Sequence, residues 1–358
     1  MKKLISVFIC LLLLVPAAAG CSVRPEEPVA AEEPAAPEEP VATEEPAAVE
    51  EPTEVRGHYR FQPKVCSSYM TEVFGEVMTE TWYRLVDAVM AGEETFACPD
   101  AYTYNWVMGQ YPDRCFPVLP ELIDYCYDRS DPVHDGMGSF TYLVPPEEAA
   151  ARIAEFAALV EEILNSTLAD DYSDLEKALV LYIYFSHHYI YDDEAARPDV
   201  YADYLSSYRV LTEGTGICQE FSVAYSYLLL QAGVDASVMS AHREWDGAPH
   251  QWSYVRINGH DFHIDPTYVI GDSDSLGYFM MTDGQRERED GYPKDDFVIC
   301  SHYSTDHPHP AHAAEDDSFR EIWDGWFIGF KHEARILNYL VFNEESQPVE
   351  KAFDYTGW

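Results

Sequence analysis

His250-Gln251-Trp252-Ser253-Tyr254-Val255-Arg256-Ile257-Asn258-Gly259-His260-Asp261-Phe262-His263-Ile264-Asp265 is the stretch that decides the fold. Its centre, Asn258-Gly259, is the preferred pair of a two-residue type I′ hairpin turn, where both residues take positive φ. With the turn placed there, Ile257 faces His260, Val255 faces Phe262 and Trp252 faces Asp265. Opposite residues project on one face of the sheet, and His250, two residues from Trp252, shares that face. His250 and Asp265 become diagonal neighbours, with Cα atoms about 7–8 Å apart. A slip of one residue would send them to opposite faces. The register therefore puts a carboxylate within reach of an imidazole, to orient it and stabilise its protonated form.

Working upstream, residues 241–249 read as a polar loop and Val234 to Ser240 as a strand. Residues 219–232 carry Phe221, Val223, Ala224, Tyr225, Leu228, Leu229 and Ala232, an apolar helix closed by Gly233. Cys218 sits where the loop Gly214-Thr215-Gly216 becomes that helix. A helix N-terminus carries partial positive charge and favours the thiolate. First-turn N–H groups lack helical acceptors, so those of Cys218 and Gln219 can face a developing oxyanion. A lone cysteine there is more often structural; the hairpin changes that reading. His250 is placed to take the proton from Cys218 and return one to a leaving group.

Three segments then stand together: Gly-Thr-Gly-Ile-Cys-Gln-Glu-Phe (214–221), Pro-His-Gln-Trp-Ser-Tyr-Val (249–255) and His-Ile-Asp-Pro-Thr-Tyr (263–268). In order and spacing they resemble the motifs of the transglutaminase-like superfamily. The resemblance extends to Tyr191-Asp192 and Tyr278-Phe279-Met280, and spans residues 172–300. It implies an α+β fold: a papain-like, transglutaminase-like core with the cysteine-bearing helix packed on an antiparallel sheet, after a mainly helical domain. It also implies a Cys218-His250-Asp265 triad. Ser240 stands where many members have glycine. The family's upstream oxyanion partner, often tryptophan or tyrosine, is matched here by Tyr191, for which a packed aromatic is the alternative reading. Gln219 and Trp252 are the other cleft candidates. Tyr254 and His263 share the hairpin face.

At the other end of the chain, Lys2 and Lys3 precede an apolar run from Leu4 to Val15, too short for a comfortable membrane span. Pro16 and the small residues Ala17 to Gly20 lead to Cys21, a lipobox-like pattern with Ala18 at its first position. The expectation is a lipoprotein signal peptide at 1–20 and a lipid on Cys21, anchoring the protein to the extracytoplasmic face of the cell membrane. Glu-Glu-Pro recurs at 26, 32, 38, 44 and 50 within a segment, 21–56, too poor in apolar residues to stay folded. As an extended spacer it reaches on the order of 90 Å.

Residues 57–170 read as a mainly helical domain, 171–300 as the catalytic core and 301–358 as a C-terminal extension. Helical spacing links Met70 to Val89 and ends at Gly92. A short strand is expected within 139–144. Pro146-Glu147-Glu148 opens a helix to Asn165, and Asp171 to Ser173 opens another to Tyr189.

The net charge of −42 argues against nucleic-acid binding, which rests on neutralising phosphates. Cys66, Cys98, Cys115 and Cys126 are open to two disulfides in an oxidising compartment, or to staying reduced. The cluster of His302, His307, His309 and His312 with Asp306 is expected to be a solvated loop rather than a metal site. The acidic runs 192–194, 272–274 and 315–317 are expected to be solvated faces. No cofactor is implied. The expected activity is acyl transfer or hydrolysis on a protein or peptide amide through a Cys218 thioester; the alternative is a non-enzymatic cell-surface or cell-wall binding module on the same fold.

Overall fold

The structure is a computed structural model and describes residues 58–124, 132–197, 205–271, 273–300 and 312–358. The signal segment, Cys21, the Glu-Glu-Pro spacer, Cys126 and residues 302–309 of the histidine cluster lie outside them. All described residues belong to one compact unit. No helix among them is long and apolar enough to cross a membrane.

The helical run after Val65 forms two helices, α1 (Ser68–Phe74) and α2 (Glu76–Ala91). They separate at Gly75, whose φ of +91° no helix accommodates. Gly92 closes α2 in the left-handed conformation, its N–H bonded to the carbonyls of Ala88 and Val89. Then come β1 (Thr95–Ala97), α3 (Ala101–Gln110), α4 (Pro112–Cys115), β2 (Val133–His134) and β3 (Met137–Ser139). The strands form a small antiparallel sheet in the order β1-β3-β2. Ladder pairing stops at Ser139, so the strand expected within 139–144 is reduced to one bridge between Tyr142 and Ile123. There Phe140 turns inward and packs on Phe96 instead of continuing the alternation.

Helix α5 (Pro146–Thr167) begins as its sequence predicts, with proline at N1 and Glu147 and Glu148 at the positive end. Helix α6 (Asp174–His188) starts at Ser173, which exchanges hydrogen bonds with Glu176 in a capping box. Next are β4 (Ile190–Tyr191), α7 (Ser207–Glu213), β5 (Thr215–Gly216) and α8 (Cys218–Gln231). The central antiparallel sheet has the order β8-β7-β6-β9, from β6 (Asp235–His242), β7 (Pro249–Ile257), β8 (His260–Ile264) and β9 (Val298–Ile299). Helix α9 (Asp283–Asp290) lies between β8 and β9 in the chain. Strands β10 (Trp326–Lys331), β11 (Ile336–Phe342) and β12 (Pro348–Asp354) form a separate antiparallel sheet.

The core runs through most of these elements. Helix α8 is apolar on most sides because α6 covers one face and the central sheet another. Phe221, Ala224, Tyr225 and Leu228 are fully buried, and the Tyr225 hydroxyl donates to the Ala178 carbonyl of α6 at 2.7 Å. Serines complete the contact with the sheet: Ser226 Oγ donates to the Ser237 carbonyl at 2.8 Å and Ser253 Oγ to the Ser222 carbonyl at 3.0 Å.

The first and last described segments are tied to this core by buried or half-buried polar groups. Tyr69 donates to Asp261 at 2.6 Å, and the Arg256 guanidinium lies 4.4 Å from its ring centre. Ser67 donates to Asp235 at 2.8 Å. At the other end the buried Glu176 carboxylate accepts from Tyr355 at 2.7 Å and pairs with His332 at 2.8 Å and Arg335 at 2.5 Å. Burial raises its affinity for a proton, but the Ser173 N–H, Tyr355 and His332 outweigh that and hold the carboxyl below its ordinary value.

Candidate active site

Cys218 is the first residue of α8 and is partly exposed. Two glycines bring the chain to it. Gly214 caps α7 at φ +76°. Gly216 passes so close to α7 and α8 that a Cβ would lie 2.7 Å from Val210 Cγ2 on the first and 3.3 Å from Glu220 Cβ on the second. Beneath the turn, Glu220 is buried and accepts the Ile217 N–H at 3.0 Å and the Ser206 N–H at 2.9 Å. Arg209 grips the same carboxylate through Nε at 2.9 Å and Nη2 at 2.8 Å, and reaches Asp192 through Nη1 at 2.9 Å. Asp192 was expected on a solvated acidic face; it is instead the outer member of this ion pair, since Arg209 needs a second anion.

The hairpin folds in the register its sequence predicts. Ser253 pairs with Ile264, Tyr254 with His263, Val255 with Phe262 and Ile257 with His260, with Asn258 at φ +52° and Gly259 at +80°. His250 Nε2 lies 2.7 Å from Asp265 Oδ2, and Asp265 is fully buried. That contact leaves Nδ1 for Cys218, whose thiol adds to the proton affinity of the ring. Burial pulls the His250 proton affinity down, but the Asp265 carboxylate and Cys218 pull harder and raise its pKa to about 9. The Asp265 carboxyl is held low; burial alone would raise it, and His250, Arg286 and Thr267 more than compensate.

Tyr191 of β4 pairs with Gly216 in a short parallel ladder, which brings it beside the turn that carries Cys218. Burial first, then Cys218 and Asp193, raise its hydroxyl well above the ordinary value, so it keeps its proton. The Gln219 carbonyl accepts from Gln251 at 3.1 Å, and Gln251 accepts from Ser240 at 3.4 Å. The serine that replaces the usual glycine thus belongs to a chain of contacts steadying the first turn of α8.

Trp252 does not flank the cleft. It is fully buried behind His250, its ring centre 5.8 Å away, and donates through Nε1 to His263 Nδ1 at 2.7 Å. His263 is also fully buried and donates through Nε2 to Asp283 at 2.8 Å, so it lines no open surface. Burial lowers its proton affinity, and both contacts fit a neutral ring. The half-exposed Tyr268 and the buried Tyr292 also flank His250, with ring centres 5.2 and 5.5 Å from it and hydroxyls 3.3 Å apart. Trp245, 64% exposed, projects at the same end against Gly291, with the Arg243 guanidinium 5.0 Å from its ring.

Arg286 of α9 is absent from the sequence reading. It is fully buried, and its Nη2 donates to Asp265 Oδ2 at 3.0 Å. No spacing points to it: the helix reads Asp-Gly-Gln-Arg-Glu-Arg-Glu-Asp, which resembles a wholly solvated surface. Among the described residues no group of three His, Cys, Asp or Glu side chains could hold a metal ion. His312 instead packs edge-on against Tyr69, and Cys66, Cys98, Cys115 and Cys300 are free thiols.

A cysteine at the head of a helix, facing histidine and aspartate on an antiparallel sheet, is a papain-like α+β arrangement. Residues 159–266 match the model of the Transglutaminase-like superfamily, and the chain carries a core of that superfamily. The match holds Cys218, His250 and Asp265, ends at Pro266 and leaves Arg286 outside. Among solved structures, one described as a TGase is 21% identical over 37% of this chain and 40% of that chain, with TM-score 0.26. LapG of Legionella pneumophila is 14% identical over 33% and 64%, with TM-score 0.25. Arylamine N-acetyltransferase C of Bacillus anthracis is 12% identical over 57% and 93%, with TM-score 0.25. This chain spans less than two thirds of the length of the first two. No curated protein sequence matches it.

Proposed function

We propose that the protein is a thiol enzyme that transfers or hydrolyses an acyl group of a protein or peptide amide through a thioester on Cys218. The observation that carries this reading is the His250 ring, set between the Cys218 thiol and the buried Asp265 carboxylate at 2.7 Å. The superfamily includes cysteine-dependent acyltransferases and peptidases, which supports the reaction class.

The chemistry follows from the positions. The Cys218 sulfur attacks the amide carbon; a C–S bond forms and the carbonyl electron pair moves to oxygen. First-turn N–H groups of α8 and the Tyr191 hydroxyl are the donors that face this charge. As the C–N bond breaks, the His250 imidazolium gives its proton to the departing nitrogen. Water or a primary amine then gives a proton to His250, attacks the thioester carbon and releases the thiolate. With water the outcome is hydrolysis; with an amine it is transamidation.

The test is labelling of the protein with an electrophilic glutamine mimic, followed by peptide mass spectrometry. Label is expected on Cys218, and none on the Cys218→Ala variant. Label spread over Cys66 and Cys218 alike would sink the enzyme reading and favour the binding module. Adding a primary amine to a glutamine peptide decides between the two acceptors.

We also propose that the enzyme is held at the extracytoplasmic membrane face through lipid on Cys21. The small residues before Cys21 and the Glu-Glu-Pro spacer after it support this. Mature protein is expected to partition into detergent and to begin at a lipidated Cys21; an unmodified N-terminus elsewhere would exclude it.

A further inference from the structure

A fully buried arginine costs much in desolvation and persists only where anions repay it. Arg286 has two: Asp265 at 3.0 Å through Nη2 and Asp290 at 2.8 Å through Nη1. Two aromatic rings pack beside it, with the centres of Trp252 at 4.2 Å and Tyr292 at 4.8 Å from the guanidinium carbon. Nη2 and His250 Nε2 meet at the same atom, Asp265 Oδ2. The two cations therefore share one carboxylate oxygen.

We infer that Arg286 is a positioning residue which divides the charge of Asp265 with His250 and so sets how tightly the imidazolium holds its proton. This rests on the reading of Cys218, His250 and Asp265 as a thiol centre. An imidazolium held too tightly is a poor proton donor to a leaving amine, so a competing cation makes it a better one. Asp290 completes the device. It neutralises Arg286 from the far side, and burial lifts its own carboxyl against the pull of Arg286.

The other groups facing this pair leave the charge count simple. Cys218 belongs to the reaction itself. His263 of β8, tied to Asp283, is held neutral by its burial. Tyr182, Tyr191, Tyr268, Tyr278 and Tyr292 are all pushed upward, chiefly by burial, and keep their protons. Arg243, beyond Tyr292, is paired with Asp246. The local balance is thus set by Asp265, Arg286 and Asp290.

The experiment is an NMR titration of the His250 ring, assigned by its loss in His250→Ala. Arg286→Met removes the competing cation and should raise the midpoint, from about 9, by at least tenfold in proton concentration. Arg286→Lys keeps the charge and should leave it near the wild-type value. Asp290→Asn turns Arg286 wholly onto Asp265 and should lower it. The double variant Arg286→Met/Asp290→Asn swaps an ion pair for a neutral pair and should bring it back. A purely structural arginine would not give this order of signs. Asp290→Asn alone decides the matter if Arg286→Met fails to fold, because its predicted shift is opposite. Labelling of wild-type Cys218 is run alongside. Labelled Cys218 with midpoints unmoved by charge overturns the inference alone; unlabelled Cys218 overturns the thiol-centre reading and the inference with it.

Discussion

Replacing Asp265 with asparagine is expected to slow acylation of Cys218 by a glutamine peptide on the order of 10⁴-fold at pH 8. The sign follows from the two opposed influences on His250. Burial disfavours its charged form, and the Asp265 carboxylate, with a smaller pull from Cys218, reverses that and carries the pKa to about 9. Without the carboxylate, burial wins and the midpoint falls below the ordinary value of about 6.5. At pH 8 the wild-type ring is largely imidazolium and the variant ring is not, so the departing nitrogen finds no proton. Wild-type acylation should fade as pH rises through about 9; the variant should show its fading limb more than two units lower. The measurement is the acylation rate against pH for both proteins. A variant within tenfold of wild type at pH 8 would show that Asp265 does not govern His250.

Glu220→Ala is the substitution with the largest expected cost in stability. Arg209 loses its two contacts to the Glu220 carboxylate, and the N–H groups of Ile217 and Ser206 lose their acceptor. Breaking a buried ion pair from one side costs about 3–5 kcal/mol, which lowers the melting temperature on the order of 10 °C. Arg209→Met combined with Glu220→Met should recover part of the loss, since no buried charge is then stranded. Recovery stays incomplete because the two N–H groups remain without a partner. Thermal unfolding of the three proteins tests this. A Glu220→Ala midpoint within 2 °C of wild type, about half a kcal/mol on that scale, would place the ion pair outside the stability of the fold.

What the sequence disclosed follows from how local each signal is. The turn at Asn258-Gly259 fixes its own register, so the meeting of His250 and Asp265 needs only the count of residues between them. The helix head at Cys218 is announced by its glycines. Arg286 was illegible because its partner lies 21 residues away on another element and its own helix is polar throughout. Trp252 and His263 were placed on the correct face, but a face pattern says nothing of depth: α9 and Phe297 cover them. Asp192 was read with its acidic neighbours, while its partner Arg209 is 17 residues on, past a stretch without periodicity. Gly75 was passed over because the apolar spacing continues across it.

The clamp on Glu176 also has a meaning in time. As the chain emerges from synthesis, His250 and Asp265 appear 15 residues apart and pair within a single hairpin. Glu176 waits much longer: its partners Arg335 and Tyr355 follow it by 159 and 179 residues. Long-range closures are the slow part of folding, because loop entropy is spent before contacts repay it. A nascent chain can thus assemble its imidazole–carboxylate pair early and still lack the last sheet. Until that sheet arrives the Glu176 carboxylate stays hydrated and the apolar surface around Leu175 and Leu179 stays open. Maturation of the native state is accordingly timed by the segment that brings Arg335 and Tyr355, well after His250 and Asp265 have met.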